Sequence, residues 1–174
     1  LRFSTATITD QDQALKKLAQ LIEKGQEHPR VRAMALRIVR DCAGRDDMCE
    51  LTAIYNWVKE NIPYRADPKT IDFFVAADRM LLMHEKGAPG EDCDGHTVLN
   101  ASLAGSLGFT AGARAYGAGR TGAYTHVYAV ALVPKKSSNV SSGKIVGLDT
   151  TVDQARVGWQ PPPGHYRTAW VQDD

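Results

Sequence analysis

"EDCDGHTVLNASLAGSLGF", residues 91–109, decides the reading of this chain. Thr97, Val98, Ala101, Leu103, Ala104 and Leu107 recur at helical spacing, and Leu99 widens the apolar surface to most of the circumference. A helix apolar nearly all round belongs in the middle of a domain. Asp92 is a good N-cap, which puts Cys93 in the first turn, and Gly108 is a natural stop. The stretch therefore predicts a central buried helix with a thiol at its head, set among Glu91, Asp92 and Asp94. A structural cysteine rarely keeps such acidic company.

Upstream, the periodicity stays helical. Leu15, Leu18, Leu21 and Ile22 share a face over residues 10–24, with Thr9 or Asp10 as cap and Gly25 as terminator. Pro29 opens a second helix carrying Val31, Met34, Ala35, Ile38, Val39 and Cys42, with Gly44 as its stop. Asp46 or Asp47 caps a third, with Leu51, Ile54, Tyr55 and Val58, which Pro63 closes. "IPYRADP" (62–68) reads as an extended segment and turn, because each proline biases its predecessor away from helix. Residues 74–86 read as a fourth helix, and Trp57 and Tyr64 as core residues. Cys42 and Cys49 end and begin helices joined by a short turn, which favours a Cys42–Cys49 disulfide in an oxidising compartment.

Downstream of Gly108 the period changes from 3.6 to 2. Residues 110–117, 125–133 and 144–150 read as three strands, with a polar loop over 134–143. Residues 153–174, rich in proline and aromatics, read as a tail outside the sheet that packs on a single domain spanning 1–152. The whole predicts an α+β fold: N-terminal helices and a central helix carrying the nucleophile, packed on a C-terminal antiparallel sheet.

In that frame Cys93, His126 at the start of the second strand and Asp149 at the end of the third are candidates for one site. A helix N-terminus and an imidazole favour the thiolate, while Asp92 and Asp94 oppose it. A carboxylate on a neighbouring strand would fix the imidazole's tautomer, completing a nucleophile–base–acid set. His96, one turn after Cys93, reads as a packing residue, because a base on the same helix lacks an in-line approach. Asp92, Asp94 and His96 are accessory candidates.

"EDCDGHTVLNASLAGSLGF", "THVYAVAL" (125–132) and "VGLDTT" (146–151) together resemble the transglutaminase-like cysteine enzyme superfamily, in particular its small bacterial and phage members. "AIYNWVKENIPYRADP" (53–68) is similar to the segment preceding the nucleophile there, so the resemblance spans roughly 50–152. It implies a papain-like fold and a catalytic triad of Cys93, His126 and Asp149. It also implies a cysteine peptidase or amidase working through an acyl-enzyme thioester. Acyl transfer to an amine is the alternative, or a non-catalytic phage or prophage particle protein retaining the fold. Many members read Gly-Asp-Cys where this chain reads Glu91-Asp92-Cys93. Calcium bound by acids flanking the cysteine, as in some bacterial proteases of the superfamily, would fall on Glu91, Asp92 and Asp94. Otherwise no cofactor is expected.

Bulk properties set the outer limits. With 174 residues and 43% apolar content the chain can build one ordinary core. Its 21 basic and 20 acidic side chains give a net charge of +1, which argues against nucleic acid as a partner. No run approaches the ~18 apolar residues of a membrane span. The partners expected are a peptide or protein amide substrate and a phage-particle or other protein. The location expected is the bacterial cytoplasm or a phage particle, or an extracytoplasmic compartment if a leader was removed.

Overall fold

The computed structural model describes residues 8–66, 74–137 and 141–171. Its elements run α1 (Ile8–Glu27), α2 (Pro29–Ile38), α3 (Asp47–Asn61), α4 (Ala77–Glu85), α5 (Cys93–Ser106), β1 (Ala111–Ala118), β2 (His126–Val133), β3 (Lys144–Leu148) and β4 (Gly164–Trp170). The architecture is α+β, with α5 between the other helices and a four-stranded antiparallel sheet of order β3-β2-β1-β4. Helix α5 is buried from Cys93 to Ser106 except at Gly105, as its all-round apolar pattern requires. The sheet meets the core through small residues, Ala111, Ala113 and Ala115 of β1 and Val127, Ala129 and Ala131 of β2. Such a face lets a helix lie close.

Three local readings change. Helix α1 begins at Ile8, so Thr9 and Asp10 lie inside it rather than capping it. Gly25 does not end it either. A Cβ at Gly25 would come within 2.3 Å of Ser102 Oγ, so this glycine serves the close crossing of α1 over α5. The third correction is the tail: residues 164–170 form β4, paired antiparallel to β1 from Gly112↔Trp170 to Ala118↔Gly164. Elsewhere the boundaries hold to within a few residues, except that α2 stops at Ile38 with Val39 as its C-cap, so Cys42 and Gly44 lie beyond the helix. Asp46 caps α3 by accepting from the Cys49 N–H, and Cys42 and Cys49 are joined in a disulfide with Cα atoms 5.8 Å apart. Asp67, Pro68 and the middle of the polar loop after β2 lie outside the described residues.

Candidate active site

Topology brings one end of α5 to one end of the sheet. Residues 107–110 connect α5 directly to β1, so β1 starts at the helix's C-terminal end and runs back along it. Thirteen residues of helix rise about 20 Å. Five of strand from Ala111 rise about 17 Å. Tyr116, and His126 paired opposite it on β2, therefore lie towards the Cys93 end of α5. The chain enters that end through Gly90, whose φ of +131° and 2.3 Å Cβ approach to the Pro63 carbonyl oxygen admit glycine alone. Glu91 N–H donates to Pro63 O (3.0 Å) and Arg65 N–H to Glu91 O (2.8 Å), which clamps the "IPY" segment beside the helix start.

His126 and Asp149 are in direct contact, with Nε2 and Oδ2 2.6 Å apart. Burial pushes the Asp149 carboxyl up, but the His126 hydrogen bond and charge, with two bonds from Thr151, hold it below the usual carboxylate range. Those two bonds run from Thr151 N–H (3.1 Å) and Oγ1 (2.8 Å) to Oδ1. An ionised Asp149 can only accept, so His126 Nε2 carries a proton and Nδ1 is left as the basic nitrogen. The His126 ring also stacks on Tyr128, centroids 6.0 Å apart.

Cys93 is buried and stands outside the Cys42–Cys49 disulfide. Burial, then the charges of Asp94 and Asp92, push its thiol up to about 12. Burial and the neighbouring acids thus make this thiol the reverse of an acid-shifted thiolate. Asp92 Oδ1 caps the helix by accepting from Gly95 N–H (3.0 Å). Glu91 is half-buried, while Asp92 and Asp94 are buried. Among the described residues no group of three His, Cys, Asp or Glu side chains converges on a metal-holding position.

His96 is a packing residue of a particular kind. Its Nδ1 lies 2.6 Å from Thr150 Oγ1, which also accepts from Asn100 Nδ2 (2.8 Å). Asn100 Nδ2 donates to the His96 carbonyl as well (3.0 Å). Burial lowers the His96 pKa, so a neutral ring accepts from the Thr150 hydroxyl. Its Nε2 proton then faces the Pro63 carbonyl without a well-formed bond. This network ties the helix turn after Cys93 to the residue next to Asp149. Sequence reading passed over Thr150 and Asn100. The available signal was a polar pair at i and i+4, His96 and Asn100, inside an otherwise apolar helix. It also placed Tyr64 in the core, whereas Tyr64 is 52% exposed and meets His96 edge-on at 6.4 Å. Trp57 is only partly buried, edge-on to His84 at 5.7 Å.

Comparison with known proteins places the fold. No protein-family model matches the chain, and no curated protein does. A crystal structure described as that of a "putative cysteine protease" from Cytophaga hutchinsonii superposes with a TM-score of 0.52 at 13% identity. The match covers 99% of this chain and 61% of that one, so this chain spans less than two thirds of that protein's length. The protein therefore has a cysteine-protease-like α+β fold. Among the described residues no helix is long and apolar enough to cross a membrane.

Proposed function

We propose that the protein is a thiol-dependent hydrolase of peptide or other amide bonds, with Cys93 as nucleophile, His126 as base and acid, and Asp149 as the residue that orients His126. The observation that carries this reading is the 2.6 Å His126–Asp149 pair at the end of the sheet towards which α5 begins with Cys93. Because the thiol is pushed up to about 12, attack starts from a neutral pair rather than a preformed thiolate–imidazolium. His126 Nδ1 takes the thiol proton as Sγ bonds to the carbonyl carbon. The same proton then goes to the leaving amine as the C–N bond breaks. Water attacks the resulting thioester, giving its proton to His126, and the acid leaves as Sγ recovers a proton. An amine in place of water would make the same site an acyltransferase. A non-catalytic protein retaining the fold is the second reading, favoured by the buried, hard-to-ionise thiol.

Cys42 and Cys49 are occupied with each other, so Cys93 can be followed without competing thiols. Iodoacetamide labelling of Cys93 should slow in His126→Ala by about 100-fold at pH 7, and less at pH 9. Asp149→Asn should fall in between. Digests of a mixed peptide library, with and without a primary amine, should give new C-terminal carboxylates without amine adducts. A labelling rate indifferent to both substitutions, with the library left intact, would leave the non-catalytic reading standing.

A further inference from the structure

The sheet face that carries His126 has a second feature. Ala113, Ala115, Val127 and Ala129 point into the core, so the alternate residues Arg114, Tyr116 and Tyr128 project from the opposite face, and His126, which opens β2 and stacks on Tyr128, stands at the end of that row. The register sets Tyr116 opposite His126, Arg114 opposite Tyr128, Tyr166 opposite Tyr116 and Thr168 opposite Arg114. Arg114 Nε–H donates to Thr168 Oγ1 at 2.8 Å, and its guanidinium carbon sits 5.4 Å from the Tyr166 ring centre. Tyr166 in turn meets Tyr116, centroids 5.4 Å apart. One side of the cluster is roofed: Tyr128 O–H donates to Gln160. The other is open, with Tyr166 40% exposed and the His126 side chain 22% exposed.

Arg114 is half-buried and has no carboxylate partner among the described residues. The acid whose charge reaches this cluster, Asp149, is already engaged by His126 and Thr151. A partly desolvated guanidinium held by aromatic rings and the hydroxyls of Thr168 and Tyr128 still has N–H groups to offer a carboxylate. Diagonal neighbours across an antiparallel pair lie about 7–8 Å apart, which is the relation of Arg114 to His126. An extended peptide covers that in about two residues.

We propose that Arg114 binds a substrate carboxylate, making the protein selective for acidic peptides whose carboxylate lies about two residues from the amide that Cys93 attacks. The inference rests on the hydrolase reading and adds its substrate class. Tyr116 and Tyr166 form the floor on which the peptide lies, and Arg114 fixes its register.

The test walks Glu or Gln through each position of capped Ala–Gly hexapeptides and compares kcat/KM. Wild-type protein should prefer Glu over Gln at one position by about 10- to 100-fold. Arg114→Met should bring the Glu peptide down to the Gln level, with the loss in KM rather than kcat. Arg114→Lys should retain the sign of the preference at reduced size. Cleavage without a Glu preference, or a preference that survives Arg114→Met, overturns the inference and leaves the hydrolase reading intact. A second arm measures binding of the same peptides to Cys93→Ala protein by calorimetry. Arg114-dependent binding of Glu peptides without cleavage in the first arm would keep the carboxylate site and remove the hydrolase reading. Neither cleavage nor binding overturns the inference.

Discussion

Cys93 and His96 lie one helical turn apart, and the fold gives them different work. The candidates Cys93, His126 and Asp149 stand out in the sequence because each lies at an element boundary whose local signals can be read: a capped helix start, a strand start, a strand end. Thr150, Asn100 and Arg114 were not, because their partners come from elements far along the chain and no local pattern encodes them. His96 makes a test at this scale. Burial holds its imidazole below the ordinary pKa. The unfolded chain takes up that proton first, once pH falls below about 6.5. The fold therefore keeps its full advantage above that point and loses stability as pH drops from there toward the lowered native value. Asp149 acts in a separate window, since a depressed carboxyl supports the fold above about pH 3.9 and loses that support only below it. Urea unfolding should show a lower midpoint at pH 5 than at pH 7. His96→Gln should start less stable at pH 7 and show a shallower drop. Equal pH slopes in the two proteins would mean that His96 is not the titrating group.

Among the elements, the helices and the first three strands could be read from period and caps, and the α2–α3 turn from its paired cysteines. What failed was contact-dependent. β4 is an edge strand preceded by prolines, with Tyr166 and Arg167 exposed, so it lacks a simple buried alternation. Only its register against β1 makes it a strand. Gly25 carries a helix-stop signal that packing overrides, because α1 must approach α5 closely. Gly25→Ala removes a helix-propensity penalty of about 1 kcal/mol. Yet the new Cβ would meet Ser102 Oγ at 2.3 Å, Ser102 Cβ at 2.9 Å and Ala77 Cβ at 3.2 Å. Overpacking of this kind costs about 1–3 kcal/mol. Gly25→Ala should therefore destabilise in denaturant melts. Gly105→Ala should cost less, because its nearest clash is the tip of the flexible Gln26 side chain. Gly44→Ala meets nothing within 4 Å and should be neutral or mildly stabilising. A stabilised Gly25→Ala protein would show that the crossing is loose.

At the scale of the whole molecule the chain closes on itself. Arg167 of β4 pairs with Asp12 of α1 at 3.2 Å, and Val171 N–H donates to Ala111 O at 2.9 Å, so the last strand is fastened to the first helix and to the head of β1. Between β3 and β4 the connection runs back over the sheet: Gly158 N–H donates to Gly147 O, and the Trp159 carbonyl crowds Gly147. Tyr55 of α3 donates to the Ala155 carbonyl at 2.8 Å, and Lys59 donates to the same carbonyl at 3.0 Å. A boundary after residue 152 would cut through all of these. The expected consequence is that residues 153–174 belong to the same cooperative unit as the site. Calorimetry should show one unfolding transition, with equal calorimetric and van't Hoff enthalpies. Deleting residues 157–174 should remove that transition, because it strips β1 of a seven-residue partner and uncovers Tyr128 and Gly147. Arg167→Ala breaks an ion pair exposed at the arginine and half-buried at Asp12 and should shift stability by about 1 kcal/mol, separating loss of the strand from loss of its charge. A truncated protein that still melts in one sharp transition near the full-length temperature would make β4 an appendage. It would also detach the Arg114–Tyr166 platform from the folded core.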